Sequence, residues 1–130
     1  MHRLLLLLLA PLLALSLTAG AAAAAETKKV VYFATWSADM DDAAQGVIDE
    51  AATAAQGHKN DKVTVSGFAS TIGSKRANQL LSELRAQVVV DRLVEKGVNA
   101  SHIRVLVRGA SHFVSTPLES RRVEVVIGGR

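Results

Sequence analysis

Residues 63–97 read VTVSGFASTIGSKRANQLLSELRAQVVVDRLVEKG, and this stretch decides the fold. Val63 and Val65 alternate with Thr64 and Ser66, the two-residue period of a strand, which takes in residues 62–68. Residues 69–74 carry Gly73 and form a turn. A helix follows and closes at Gly97, since glycine tolerates the left-handed backbone that ends many helices. Both Ser74 and Ser82 can cap the start, each offering a hydroxyl to a free amide. A helical residue advances the chain by about 1.5 Å, so a start at Ser74 sets Arg85 roughly 16 Å from the strand end. A start at Ser82 keeps Arg85 in the first turn, beside Ser70. The expectation is therefore a loose turn over residues 74–80 and a main helix from Ser82, with Leu84, Val88, Val89 and Leu93 facing the sheet.

On the N-terminal side, residues 28–36 (KKVVYFATW) are dense in β-branched and aromatic residues and predict the first strand. Asp39, Met40, Asp41 and Asp42 open a helix, with acids in the first turn where the helix dipole favours them. Met40, Ala44, Val47, Ile48, Ala51 and Ala55 make one apolar stripe at helical spacing, and Gly57 ends it. The alanines imply close packing of helix on sheet. On the C-terminal side, Ile103, Val105 and Val107 alternate with Arg104, Leu106 and Arg108 as a third strand. A short connection over residues 110–120 leads to a fourth strand, residues 121–127, where Val123, Val125 and Ile127 alternate against Glu124. The order is βαβαββ, an α+β domain. Right-handed crossovers put both helices on one face of a mixed four-stranded sheet, and the last two strands form a pair.

The chain has 130 residues, and its first 25 do not belong to that domain. His2 and Arg3 precede a leucine-rich run broken by Pro11, and an alanine tract follows, the layout of a secretory signal peptide. Cleavage is expected after Ala25, with a cut after Ala21 as the rival, leaving one domain over residues 26–130 and no transmembrane segment. The composition includes no cysteine, which excludes disulfides and a lipid-modified N-terminal cysteine. The formal net charge is +3, too small and too scattered for a nucleic-acid interface. His58, His102 and His112 lack metal-ligand spacing, and Ser111-His112 lacks the strand-turn-helix elbow that presents a nucleophile. Neither catalysis nor a cofactor is expected.

Asn78, Ser82 and Arg85 stand in the spacing N-x-x-L-S-x-x-R-A, after a strand ending Gly67-Phe68-Ala69-Ser70, and Arg121-Arg122-Val123-Glu124 opens the last strand. In these features the chain resembles the OmpA C-terminal-like family of peptidoglycan-binding domains. The resemblance implies a non-catalytic periplasmic domain, associated with the outer membrane or cell wall. Its ligand would be the diaminopimelate end of a peptidoglycan stem peptide. It also implies ligand contacts at Ser70, Asn78, Arg85 and Arg122. In the family a strand-end Asp takes the ligand's ammonium and an Arg fifteen residues later takes its carboxylate. Arg85 matches that arginine, whereas Ser70 stands where the Asp would be, so weakened binding is expected. The connection before the last strand is also shorter than usual in the family. The alternative is a module that keeps the fold, has lost the wall ligand and binds another envelope protein, signalled by an open sheet face with Phe68 and Phe113 unburied.

Overall fold

The computed structural model describes residues 26–110 and 117–129. The expected leader, residues 1–25, and Ser111, His112 and Phe113 lie outside the described residues. Four strands, β1 (Thr27–Tyr32), β2 (Val63–Phe68), β3 (Ile103–Gly109) and β4 (Arg122–Ile127), form one mixed sheet in the order β1-β4-β2-β3. Two long helices, α1 (Asp42–Gly57) and α2 (Lys75–Glu95), pack on it, and a four-residue helix, α3 (Pro117–Ser120), leads into β4. The α+β architecture agrees with the order read from the sequence.

β3 and β4 are not the expected pair. β4 inserts between β1 and β2 and runs antiparallel to both, while β2 and β3 are parallel neighbours. Burial explains the choice. Val123 and Val125 are fully buried and Ile127 nearly so, and a strand with that inner face is best covered with a neighbour on each side. β3 takes the edge, where the charges of Arg104 and Arg108 and the half-exposed Val105 are tolerated and discourage further pairing.

On α1, Asp41 caps the start by accepting the Ala44 amide at 2.7 Å. Its buried face is Ala44, Ile48, Ala51, Ala52 and Ala55, close to the predicted stripe. Arg92 of α2 grips Asp49 of α1 through two hydrogen bonds of 3.1 and 3.2 Å, tying the helices together at the surface.

α2 starts at Ser74, not Ser82. The Ser74 hydroxyl accepts the Ala77 amide at 3.0 Å, and the helix runs unbroken for 21 residues. Rise along the helix misleads here because residues 69–74 carry the chain out beyond the strand end before the helix turns back. The first turns of α2 cover that return, and Arg85 arrives 3.5 Å from the Phe68 carbonyl. Ser82 is consequently no cap. It is fully buried in the middle of α2, where its hydroxyl donates to the Gln79 carbonyl and accepts the Gly109 amide at 3.2 Å. The buried side of α2 is Asn78, Ser82, Arg85, Ala86, Val89 and Leu93. Leu84 falls on the opposite side and is 52% exposed. β1 likewise stops at Tyr32, four residues before Trp36, because the chain turns to present carbonyls to Arg85.

Candidate functional site

Arg85 organises the cleft at the end of β2. Its guanidinium is held by backbone oxygens: Nε donates to Ser37 O at 2.8 Å, Nη2 to Ala34 O at 2.9 Å and Nη1 to Phe68 O at 3.5 Å. The Phe33 ring lies 5.4 Å away, a distance at which ring and cation attract. Arg85 is fully buried, and burial together with the Arg121 charge pulls its pKa down to about 10. It stays cationic at neutral pH. The carbonyls use three of its five N–H groups.

Beside it lies a cleft of about 40 Å³, room for a group the size of a carboxylate. Ser70, Asn78, Arg85 and Arg121 supply its polar walls, and Trp36, Ile72 and Leu81 its apolar ones, with Thr35 at the side. Among the described residues no acidic side chain lines it. Asn78 is buried and clamps the turn, its Nδ2 donating to Ile72 O at 2.8 Å and Ser74 O at 3.0 Å. Ser70 is partly exposed. Trp36 is the non-glycine residue of the described chain with a left-handed backbone, φ +52°, and its indole lies over Gly73. Gly73 has φ +90°, and a Cβ there would stand 2.6 Å from the indole, so only glycine lets the two loops meet.

The structure brings Ser70, Asn78 and Arg85 together, and sets Arg122 apart from them. Arg121 takes the position by the cleft, donating to Phe33 O at 3.1 Å. Arg122 stacks over the Phe68 ring at 3.8 Å, pairs with Glu124 at 3.1 Å and donates to Glu119 O at 3.1 Å. Phe68 is buried, 4% exposed, so that half of the signal for an alternative sheet-face module is not met. Sequence reasoning missed Trp36 and Arg121 as cleft residues. For Arg121 a signal existed: it shares the parity of Val123 and Val125, which face the helices.

Burial alone would raise the Glu124 carboxyl, but hydrogen bonds from Lys28 and Arg122 outweigh it and hold the group below its usual 4.5. A depressed carboxyl stabilises the fold above its unfolded pKa, and that contribution is lost as the pH falls through the folded value. Glu124→Gln should therefore flatten the loss of thermal stability below about pH 4.5. Parallel acid melts of both proteins check this, and identical slopes would refute it.

A model of the OmpA family matches residues 32–123, which span the whole cleft. The chain belongs to the OmpA family. It is 46% identical over 57 residues to outer membrane protein A of Shimwellia blattae, across 44% of this chain and 24% of that protein. It is 36% identical over 72 residues to the peptidoglycan-binding protein ArfA of Mycobacterium bovis, across 51% of this chain and 22% of the relative. The chain thus spans under a quarter of the length of either relative. Among solved structures, the OmpA-like domain of FopA1 from Francisella tularensis superposes with a TM-score of 0.72 at 25% identity, covering 78% of this chain and 71% of that one. Within the matched span, the turn after β2 and α2 supply most of the cleft's lining, and the loop after β1 and Arg121 complete it. No helix among the described residues is long and apolar enough to cross a membrane, and no cluster of three metal-ligating side chains occurs among them.

Proposed function

We propose that this OmpA-family chain is a non-catalytic domain of the cell envelope that attaches noncovalently to peptidoglycan. The ligand is the diaminopimelate end of a stem peptide, whose carboxylate pairs with Arg85 in the cleft walled by Asn78 and Ser70. One observation carries the reading. Arg85 is a fully buried guanidinium hydrogen-bonded to backbone carbonyls, beside a cleft with no acidic wall among the described residues. A buried cation is costly unless an anion completes it, and a carboxylate on the remaining N–H groups would make charge-assisted bonds. The peptidoglycan-binding relative supports the choice of ligand. Arg122 has no ligand contact in this reading, because Phe68, Glu119 and Glu124 already occupy it.

The purified protein is expected to co-sediment with isolated peptidoglycan sacculi. Full recovery in the supernatant would overturn the proposal. The exported form begins at Glu26 in the same reading, facing the wall from the periplasm. Intact-mass measurement of periplasmic material checks that start, and a product keeping residues 4–17 would refute it.

A further inference from the structure

The charge of the cleft points to a narrower ligand than a diaminopimelate end in general. A free end of that kind is a zwitterion, with an ammonium beside its carboxylate. Two guanidinium groups, Arg85 and Arg121, wall the cleft, and among the described residues no carboxylate does. An ammonium brought here would shed water beside two like charges and gain only neutral oxygens, those of Ser70, Asn78 and Thr35. An amide N–H in the same place carries no charge, holds less water and needs a single acceptor, which the Ser70 hydroxyl provides. The rim favours the same ligand for a separate reason. Trp36 is 53% exposed and Ile72 60%, both at the cleft, an apolar surface suited to the carbon atoms of an acyl group. Gly73 keeps the indole in place, and the left-handed backbone of Trp36 shows that the loop is held in this arrangement against local preference.

We propose that the cleft selects a stem-peptide carboxylate whose neighbouring amine is acylated, as in a stem joined to its neighbour through that amine, over one whose amine is free. The inference rests on the wall-binding reading and adds to it the state of the peptide that is bound. Arg85 takes the carboxylate, Arg121 adds to the field that favours it, Ser70 accepts the amide N–H, and Trp36 with Ile72 supports the acyl group.

The test titrates the purified protein by calorimetry with two synthetic tripeptides, L-Ala-γ-D-Glu-diaminopimelate with its side-chain amine free, and the same peptide N-acetylated at that amine. The acetylated peptide should bind about tenfold tighter, because it is spared the desolvation of an ammonium beside two like charges. Ser70→Asp should reverse the order by supplying the acid that an ammonium requires, and a thermal melt establishes that the variant is folded. Equal affinities, or tighter binding of the free amine by the wild-type protein, would overturn the inference and leave wall binding standing. The second of these would assign the indole face of Trp36 the role of cation acceptor. Failure of both peptides to bind, with sacculi still sedimenting the protein, overturns the stem-peptide ligand and this inference with it. Failure of sacculi as well removes the wall-binding reading itself.

Discussion

Gly67→Ala should destabilise the domain by about 3 kcal/mol, the upper end of the range for overpacking a core. The expected Cβ would lie 2.2 Å from the Ser82 carbonyl oxygen and 3.1 Å from the Ala86 methyl. The first obstacle is backbone in the middle of a 21-residue helix, so no side chain can swing aside to make room. Relief requires α2 to lift from β2. That movement pulls the Ser82 hydroxyl from the Gly109 amide and loosens Arg85 from the Phe68 carbonyl, both already long contacts at 3.2 and 3.5 Å. Small domains have about 5–15 kcal/mol in total, so the loss should be plain in a chemical melt. Gly67→Val should be worse, because two further methyl groups enter the same gap. A midpoint for Gly67→Ala equal to that of the wild-type protein would show that helix and strand do not approach so closely.

The same close approach shows what a sequence can and cannot reveal here. β2 and α1 were legible because most of their buried residues are apolar and recur at the period of their element, and β3 because its residues alternate although Val105 is half exposed. α2 was legible only in its second half. Its first two buried turns are Asn78, Ser82 and Arg85, polar residues at helical spacing, while Leu80 and Leu84 are half exposed on the outside. Hydrophobic periodicity marks a buried face only where that face is apolar, so it could not decide between Ser74 and Ser82, and the rise of the helix favoured the later start. The polar triplet, of which Asn78 and Arg85 line the cleft, hid that start from periodicity. The carbonyls that hold Arg85 had no signal at all, since Ala34 and Ser37 act through their backbone and their side chains say nothing about it. Strand order was equally hidden, because the pairing of β4 with β1 and β2 depends on which faces can be covered once the helices are docked.

Arg85→Ala should remove wall binding and stability together, which makes it the most damaging polar substitution and the least informative one alone. It deletes a fully buried side chain, opens a cavity beside the Phe33 ring and takes one donor from each of the Ala34, Ser37 and Phe68 carbonyls, of which Ala34 keeps the Ser37 amide. A buried carbonyl left unpaired costs about 1–3 kcal/mol, and with the cavity a total near 3 kcal/mol is expected. On the ligand side, a charge-assisted hydrogen bond is worth about 1.5–3 kcal/mol, roughly a tenfold to hundredfold loss of affinity. Two further variants separate these effects. Arg85→Met refills the cavity with an unbranched side chain, so it should recover part of the stability and none of the binding. Arg85→Lys keeps the charge but can satisfy neither the carbonyl set nor both oxygens of a carboxylate with a planar fork, so binding should return only in part. Melts and sacculus co-sedimentation, run on all three below their transitions, give the ordering. A folded Arg85→Met protein that sediments with sacculi as the wild type does would reduce Arg85 to a strut between the first loop and β2. The ligand's carboxylate would then have to be met by Arg121, which lines the same cleft and is anchored on the Phe33 carbonyl.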